Sequence, residues 1–371
     1  MRPSWVEIDL EAVRHNVSVI AAAVAPAELC AVVKADAYGH GDVPVARAAL
    51  AGGATRLGVA LVEEGRRLRD AGITDPVLLL SECEIGDAPA VVDFDLIPTV
   101  YRAPFVEAIA AAASAAGKEP YPIHVKVNTG MYRVGAEPDD AAALARFVAG
   151  HALLHLEGLW THFAVAEEDA EYTKRQTAAF AALRDELLAG GIAPPLSHAA
   201  NTAGALEFPE ARFELVRVGL GIYGLRPAPH VGRDLDLRPA MRVVSRVTMV
   251  RRVAAGERPS YGRRREMRTG GTVATVPIGY ADGVARRLSE VGGAVLIGGR
   301  RYPFAGTVTM DQIVVDVGDD AVAVGDEVVL LGTQGGEEIS VDEWADLLGT
   351  INYEIVCDFG PRLPRRHLGV R

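Results

Sequence analysis

The first two-thirds of the sequence alternates short apolar runs with alanine-rich segments. The segments between the runs, such as 62–72 and 175–191, repeat apolar residues with the period of a helix. Strands that alternate with helices imply a parallel sheet. Eight apolar runs of strand length follow one another, at residues 27–35, 55–61, 76–82, 93–100, 122–130, 153–163, 195–203 and 213–224.

Eight strand–helix units predict an α/β fold that begins with a closed (β/α)₈ barrel of the TIM type. An open, doubly wound sheet is the alternative that counting alone leaves. A proline- and glycine-rich stretch at 226–239 reads as a linker, and beyond it short β-rich runs are broken by glycines, with a helix predicted at 340–349. We therefore expect a barrel over residues 1–235 and a smaller, mainly antiparallel β domain over 236–371. Residues 1–10 contain a run that could pair with that second domain.

Composition restricts the classes of partner. A chain of 371 residues with 49% hydrophobic residues is long enough for two cores. The net charge of −11 argues against nucleic acid, and no run approaches the length of a membrane span. Three widely separated cysteines and the lack of a secretory pattern at the start favour the cytoplasm.

His151 and His155 have i, i+4 spacing without a third ligand nearby, so no metal site is expected.

Polar residues stand at the ends of several predicted barrel strands. In a barrel of this type, functional groups lie at the carboxyl ends of the strands, so these side chains should meet at one mouth. The residues concerned are Lys34, Lys126, Asn128, His162, His198, Asn201, Thr202, Arg217 and Gly219.

Lys34 ends the first apolar run and is one of only four lysines in the chain. An ammonium at the end of a buried strand is costly unless it is paired or neutral. It is either a lysine of lowered pKa that forms a Schiff base, or a strand-end lysine whose head reaches water. Its position alone leaves both interpretations open.

The segment 219–224 reads GLGIYG and matches the G-x-G-x-x-G pattern. No βαβ unit follows it, so a dinucleotide site is not predicted. Glycines after a late barrel strand allow backbone N–H groups to approach an anion. The segment therefore predicts a phosphate site.

Four segments together resemble one enzyme family. They are AVVKADAYGHG at 31–41, VRVGLGIYG at 216–224, PSYG at 259–262 and TVTMDQ at 307–312. With these segments in this order, the chain resembles the alanine racemase family, fold-type III pyridoxal-phosphate enzymes, over essentially its whole length. The resemblance implies pyridoxal 5′-phosphate as cofactor, interconversion of L- and D-alanine, supply of D-alanine for peptidoglycan, and a homodimer with active sites at the interface.

The resemblance also implies residue roles. Lys34 would hold the cofactor and act as the base facing the D-enantiomer, while Tyr261 of the partner subunit would be the opposite base. The substrate would be bound by Arg133, Met310 and Tyr280, with Arg133 near its carboxylate. Lys126 matches a lysine that is carbamylated in some members. The remaining cofactor contacts would come from Tyr38, His162, Asn201, Thr202, Arg217, Gly219, Ile222 and Tyr353, with Arg217 facing the pyridine nitrogen and His162 and His198 linked to it.

Two-base racemisation needs bases of lowered pKa, since free lysine and tyrosine titrate near ~10.4 and ~10. Burial would lower the pKa of Lys34, but Tyr261 needs positive charge nearby, for which the run Arg263–Arg265 and the pair His162–Arg217 are candidates. Asn128 and Tyr132 depart from the family pattern around Arg133.

Other activities remain as alternatives. A racemase for another small amino acid such as serine is poorly separated by sequence. A non-catalytic protein of cofactor homeostasis would not need the domain that carries Tyr261. A decarboxylase would carry glutamate where Arg217 stands.

Overall fold

A computed structural model of the chain describes residues 2–369. The chain divides into two compact units, one formed by 12–37 and 42–238, the other by 2–11, 38–41 and 239–369. Within the described part, the strands in chain order are β1 (Ser4–Asp9), β2 (Glu28–Val32), β3 (Arg56–Val59), β4 (Val77–Leu79), β5 (Leu96–Ile97), β6 (Thr99–Val100), β7 (Tyr121–Lys126), β8 (Leu154–Trp160), β9 (Leu196–His198), β10 (Leu215–Val218), β11 (Met241–Arg246), β12 (Met249–Val253), β13 (Gly271–Val276), β14 (Ala294–Ile297), β15 (Arg300–Pro303), β16 (Ile313–Gly318), β17 (Glu327–Gln334), β18 (Glu337–Ile339) and β19 (Arg365–Leu368).

The helices begin and end at residues that favour helix boundaries. Side chains of Asp169, Asn201 and Ser340 each accept a hydrogen bond from the first turn of a helix, and one helix ends at the left-handed Gly117. The helices are α1 (Leu10–Val24), α2 (Lys34–Gly39), α3 (Asp42–Ala51), α4 (Val62–Asp70), α5 (Ala88–Asp93), α6 (Ala103–Ala116), α7 (Pro138–Ala149), α8 (Ala170–Ala189), α9 (Thr202–Glu207), α10 (Leu288–Val291), α11 (Val341–Leu348) and α12 (Asn352–Cys357).

The larger unit contains the predicted barrel. Parallel strands run in the order β10-β2-β3-β4-β5 and, beyond Pro98, β6-β7-β8-β9. The Arg217 N–H donates to the Ala200 carbonyl at 3.0 Å, which brings β10 beside the end of β9 and closes the ring. Seven of the eight predicted runs contain one barrel strand each, and the fourth run contains the two short strands β5 and β6. The barrel prediction is confirmed, and the open-sheet alternative is wrong.

The smaller unit is mainly antiparallel. One sheet has the order β15-β14-β17-β11-β1-β19, with β18 paired to β17, and a second sheet has the order β12-β13-β16. The N-terminal strand β1 pairs antiparallel with β11 and parallel with β19. Alternate residues of β16 are buried, as expected for a strand with one face against a core. In this unit the sequence predicted α11 but not the short helices α10 and α12.

No helix within residues 2–369 is long and apolar enough to span a membrane.

Candidate active site

Lys34 lies directly beyond β2, at the start of a turn of unusual handedness. The four residues Ala35–Tyr38 all have φ between 52° and 54°, so α2 is a left-handed turn. Each non-glycine residue in this conformation costs about 1–2 kcal/mol. The buried Glu64 carboxylate holds the turn, since its Oε1 accepts the Ala35 N–H at 2.7 Å and its Oε2 accepts the Ala60 N–H at 2.8 Å. The left-handed conformation sets the direction in which the backbone leaves Lys34.

Arg217 is buried within the barrel and is held by neutral acceptors. Its guanidinium donates to the carbonyls of Thr161 and Ala199 at 2.8 and 2.9 Å, and to Nδ1 of His198 and His162 at 2.8 and 3.1 Å. Among residues 2–369 it has no carboxylate partner, and Glu214, the carboxylate near it in sequence, pairs with Arg184. Burial lowers the pKa of Arg217 to about 9, so the side chain stays protonated at neutral pH.

A row of buried side chains continues from Arg217 through the barrel. His198 Nε2 lies 2.8 Å from His124 Nδ1, and His124 Nε2 lies 2.8 Å from the Glu157 carboxylate. Since the guanidinium can only donate, His198 must accept at Nδ1 and donate from Nε2, and His124 repeats that pattern toward Glu157. Burial and the charge of Arg217 hold the pKa of His198 well below its usual range, so this ring is neutral with one defined tautomer.

Lys126 ends β7 among other cations. Its Nζ lies 3.9 Å from the centre of the Trp160 ring, which also lies 4.4 Å from the guanidinium carbon of Arg217. Burial, followed by the charges of Arg217, Arg133 and Lys34, lowers the pKa of Lys126 to about 7. The predicted lysines and arginines of the barrel therefore share one cationic region, and a substantial fraction of Lys126 is neutral near pH 7.

The loop that carries Arg133 is organised by Asn128. The Asn128 Oδ1 accepts the N–H groups of Gly130 and Tyr132 at 3.1 and 3.0 Å, and its Nδ2 donates to Glu137 at 2.7 Å. Tyr132 has φ of 54° and a side chain that is 80% exposed. Arg133 is also exposed. The asparagine thus supports the loop through its amide, and an aspartate could not donate to Glu137.

Thr202, Gly219 and Ile222 meet where two short helical turns begin. The Asn201 side chain accepts the Gly204 N–H at 2.9 Å at the start of α9, and the buried Thr202 hydroxyl accepts the Gly221 N–H at 3.5 Å. Residues 220–223 form a 3₁₀ turn that begins at Gly219. A side chain at Gly221 would lie 3.0 Å from Ile20 and Thr202, so the backbone there is closely packed. Backbone N–H groups at the starts of these two turns, with the Thr202 hydroxyl, form a donor set suited to an anion.

Tyr38 and Tyr353 lie together in the smaller unit. Their ring centres are 6.1 Å apart, with Tyr353 on α12. Burial, with the neighbouring Tyr353 and Cys357, raises the pKa of Tyr38 above its usual value, so its hydroxyl remains a hydrogen-bond donor.

Tyr261, Tyr280 and Met310 line one cavity of about 630 Å³ in the smaller unit. The Tyr261 side chain is 74% exposed, and its carbonyl accepts the Thr307 hydroxyl at 2.8 Å. Ser260, with φ of 68°, donates its hydroxyl to the Thr307 carbonyl at 2.6 Å. The backbone on both sides of Tyr261 is therefore fixed while its phenol is open to solvent.

The run Arg263–Arg265 does not supply unmatched positive charge near Tyr261. Arg263 pairs with Glu257 at 3.3 Å, Arg264 with Glu290, and Arg265 with Asp316 at 3.1 Å. Each guanidinium in the run is thus matched by a carboxylate.

The comparisons with known proteins agree with one another over the whole chain. Residues 8–227 match the model of the alanine racemase N-terminal domain, and residues 240–367 match that of the C-terminal domain. The chain belongs to the alanine racemase family. It is 45% identical to an alanine racemase of Symbiobacterium thermophilum, over 100% of this chain and 98% of that one.

Solved structures of the alanine racemase family have the same fold. The enzyme of Streptomyces lavendulae, a D-cycloserine producer, has a TM-score of 0.94 at 39% identity and covers 100% of this chain and 98% of its own. The enzyme of Bacillus anthracis with bound L-Ala-P has a TM-score of 0.91 at 38% identity, with 100% and 96% covered.

Several residues of the site were missed by reasoning from sequence. Glu64 and Trp160 lie on elements whose apolar pattern predicts only packing, and His124 is an isolated histidine inside β7. No short motif marks them, because their partners are far away in the chain. A buried ionisable residue inside a strand of a barrel was the one signal that could have singled out His124.

Proposed function

We propose that this protein interconverts L- and D-alanine with pyridoxal 5′-phosphate as cofactor. The observation that carries the proposal is Arg217, a buried guanidinium held by carbonyls and neutral histidines at the barrel end that also bears Lys34 and Lys126. Such a group can face a ring nitrogen without leaving a proton on it. The L-Ala-P in the Bacillus anthracis enzyme supports a small amino acid as substrate.

The residues present fit this cofactor. Lys34 would bind it covalently, and Arg217, supported by His162 and His198, would face its ring nitrogen. The donors around Asn201, Thr202, Gly219 and Ile222 suit a phosphate, and Tyr38 and Tyr353 would add their hydroxyls, as the family resemblance implies. When bound, the cofactor supplies an electron sink for the charge that develops at the substrate Cα.

Racemisation requires one proton to leave Cα and another to arrive on the opposite face. The Lys34 amine would move the proton on one face, and the Tyr261 hydroxyl on the other. Since the phenol of Tyr261 is exposed, we propose that it completes the active site in the barrel of a second copy. The working form would then be a homodimer with active sites at its interface. Each subunit would then supply one of the two bases.

The substrate carboxylate would be held by Arg133 and the Met310 N–H, with Tyr280 beside them. We propose that Lys126, whose pKa of about 7 leaves much of it neutral, is carbamylated and orients Arg133. A carbamate would also place a negative charge among Lys34, Arg133 and Arg217, which lower the pKa of Lys126.

We further propose that the reaction takes place in the cytoplasm and supplies D-alanine for peptidoglycan. The three widely spaced cysteines favour a reducing compartment.

The test is the formation of D-alanine from L-alanine by the purified, cofactor-loaded protein, with L-serine as a second substrate. Lys34→Ala and Tyr261→Phe should each abolish racemisation, while Tyr261→Phe retains the cofactor. Cofactor binding through Lys34 without turnover of alanine would contradict the proposal, and turnover of serine alone would favour the other racemase.

A further inference from the structure

Asp282 is a fully buried carboxylate at the end of the turn that carries Tyr280. Its carboxylate accepts hydrogen bonds from both terminal guanidinium nitrogens of Arg2 and from the Gly279 N–H at 2.9 Å. It also lies 3.3 Å from Nε of Arg362. Arg362 in turn pairs with Asp311. A buried carboxylate surrounded by this many donors is a fixed anchor, because removing it leaves charges without partners.

This anchor is connected to the turn that contains Met310. The Tyr280 N–H donates to the Thr309 carbonyl at 3.0 Å, and the Ala281 N–H donates to the Met310 carbonyl at 3.1 Å. Gly279 packs so closely that a side chain there would lie 2.2 Å from the Thr309 carbonyl oxygen. The two turns are therefore joined on one side by backbone hydrogen bonds and on the other by the bridge from Asp282 through Arg362 to Asp311.

The arrangement fixes the peptide that carries the Met310 N–H, because the Thr309 carbonyl of the same peptide accepts the Tyr280 N–H. The Met310 carbonyl is used by Ala281, and no hydrogen bond from the Met310 N–H is formed within residues 2–369. Met310 is 52% exposed and lines the cavity that Tyr261 and Tyr280 also line. The donor is thus available to a ligand in this cavity.

We propose that Asp282 and Arg362 are positioning residues that hold the Met310 N–H and Tyr280 in place for the carboxylate of the substrate. The inference rests on the proposed function, from which the carboxylate site at Met310 is taken. It adds that the binding of a carboxylate depends on an ion-pair bridge whose members do not touch the substrate. Because the substrate and the transition state both carry the carboxylate, loss of the bridge should raise KM more than it lowers kcat.

The experiment measures two properties of the cofactor-loaded protein, the affinity for propionate by calorimetry and the kinetics of alanine racemisation. Propionate has the carboxylate of alanine without its amine, so its affinity measures binding at the carboxylate site without turnover. Asp282→Asn removes the anchoring charge. Arg362→Leu breaks the bridge at a side chain that is 43% exposed, so this change should disturb folding less than a change in the core. We expect a propionate Kd and an alanine KM about tenfold higher in both variants, with kcat within about twofold, and recovery of most of the affinity in Arg362→Lys.

Two controls match these variants. Asp316→Asn removes a carboxylate that likewise accepts a backbone N–H, from Gly318, and a guanidinium, from Arg265. Arg301→Leu removes a guanidinium of similar exposure that binds Glu343. Both should leave propionate affinity unchanged. A lower Tm with unchanged propionate affinity in Asp282→Asn and Arg362→Leu would overturn the inference. A wild type that neither binds propionate nor racemises alanine would overturn the proposed function, and the inference with it.

Discussion

The ammonium nitrogen of Lys126 lies 3.9 Å from the centre of the Trp160 ring, inside a region that holds three other cations. An electron-rich ring attracts an ammonium, but it is a weaker partner than a carboxylate. Burial and the neighbouring charges therefore lower the pKa of Lys126 to about 7. The neutral amine that results is the form that reacts with carbon dioxide.

Carbamylation of Lys126 should therefore depend on pH. We expect a carbamate signal in the carbon-13 spectrum of protein prepared with labelled bicarbonate, stronger at about pH 8 than at about pH 6, because deprotonation through a pKa of about 7 exposes the amine. Lys126→Met should lack the signal. Its absence from the wild type at the higher pH would contradict the carbamate.

The same pKa predicts how stability varies with pH in bicarbonate-free buffer. The folded pKa of Lys126, about 7, lies below the ordinary lysine value, so between about pH 7 and pH 10 the unfolded chain holds more protons on this side chain than the folded chain. The free energy of unfolding of the wild type should then rise with pH relative to Lys126→Met across this window. Denaturant titrations of both proteins at several pH values measure the difference. A difference that stays constant would show that the pKa is not lowered on folding.

The left-handed turn after Lys34 predicts that replacing alanine by glycine changes stability differently at two exposed positions. Ala35 is exposed with φ of 53°, where glycine is not strained, so Ala35→Gly should stabilise the protein or leave its stability nearly unchanged. Ala111 is exposed inside α6, where the same change should cost about 1 kcal/mol. Thermal unfolding of the two variants measures this contrast. Equal destabilisation by both would mean that the turn stores no strain at Ala35.

The sequence predicted the barrel because strand period and helix period are local properties of the chain. It also placed Lys34, Lys126, His198 and Arg217 at strand ends, and a parallel barrel brings such positions to one end. The grouping of His162 and His198 around Arg217 was an expectation of the family resemblance, and both histidines contact the guanidinium.

The left-handed turn could not be predicted, because alanine, aspartate and tyrosine disfavour that conformation and only the surrounding structure imposes it. The roles of Glu64 and Asp282 were also invisible, since their donors come from distant parts of the chain: Ala35 for Glu64, Arg2 and Arg362 for Asp282. Tyr38 follows a barrel strand in sequence, yet the segment 38–41 belongs to the compact unit that contains Tyr353.

The hydrogen bonds that connect Arg217, His198, His124 and Glu157 predict that removing His198 lowers the free energy of unfolding. His198→Ala would leave a buried guanidinium N–H and the Nδ1 of His124 without partners, which costs about 1–3 kcal/mol for each group left unpaired. His155→Ala, at an exposed histidine on β8, is the matched control and should change little. Denaturant unfolding measures both, and equal free energies of unfolding would mean that the row adds nothing to stability.

The amide of Asn128 predicts that an acidic residue at this position is tolerated only if Glu137 is changed as well. Asn128→Asp would keep the bonds from the N–H groups of Gly130 and Tyr132 but place a carboxylate where the amide now donates to Glu137 at 2.7 Å. Repulsion between the two carboxylates should cost about 1 kcal/mol at neutral pH and raise the KM for alanine by displacing Arg133. Adding Glu137→Gln should recover both, since the new amide can donate to the aspartate. Unfolding and steady-state kinetics of the two single variants and the double variant give the coupling between the positions. If the two changes are additive, the loop that carries Arg133 does not depend on the bond between Asn128 and Glu137.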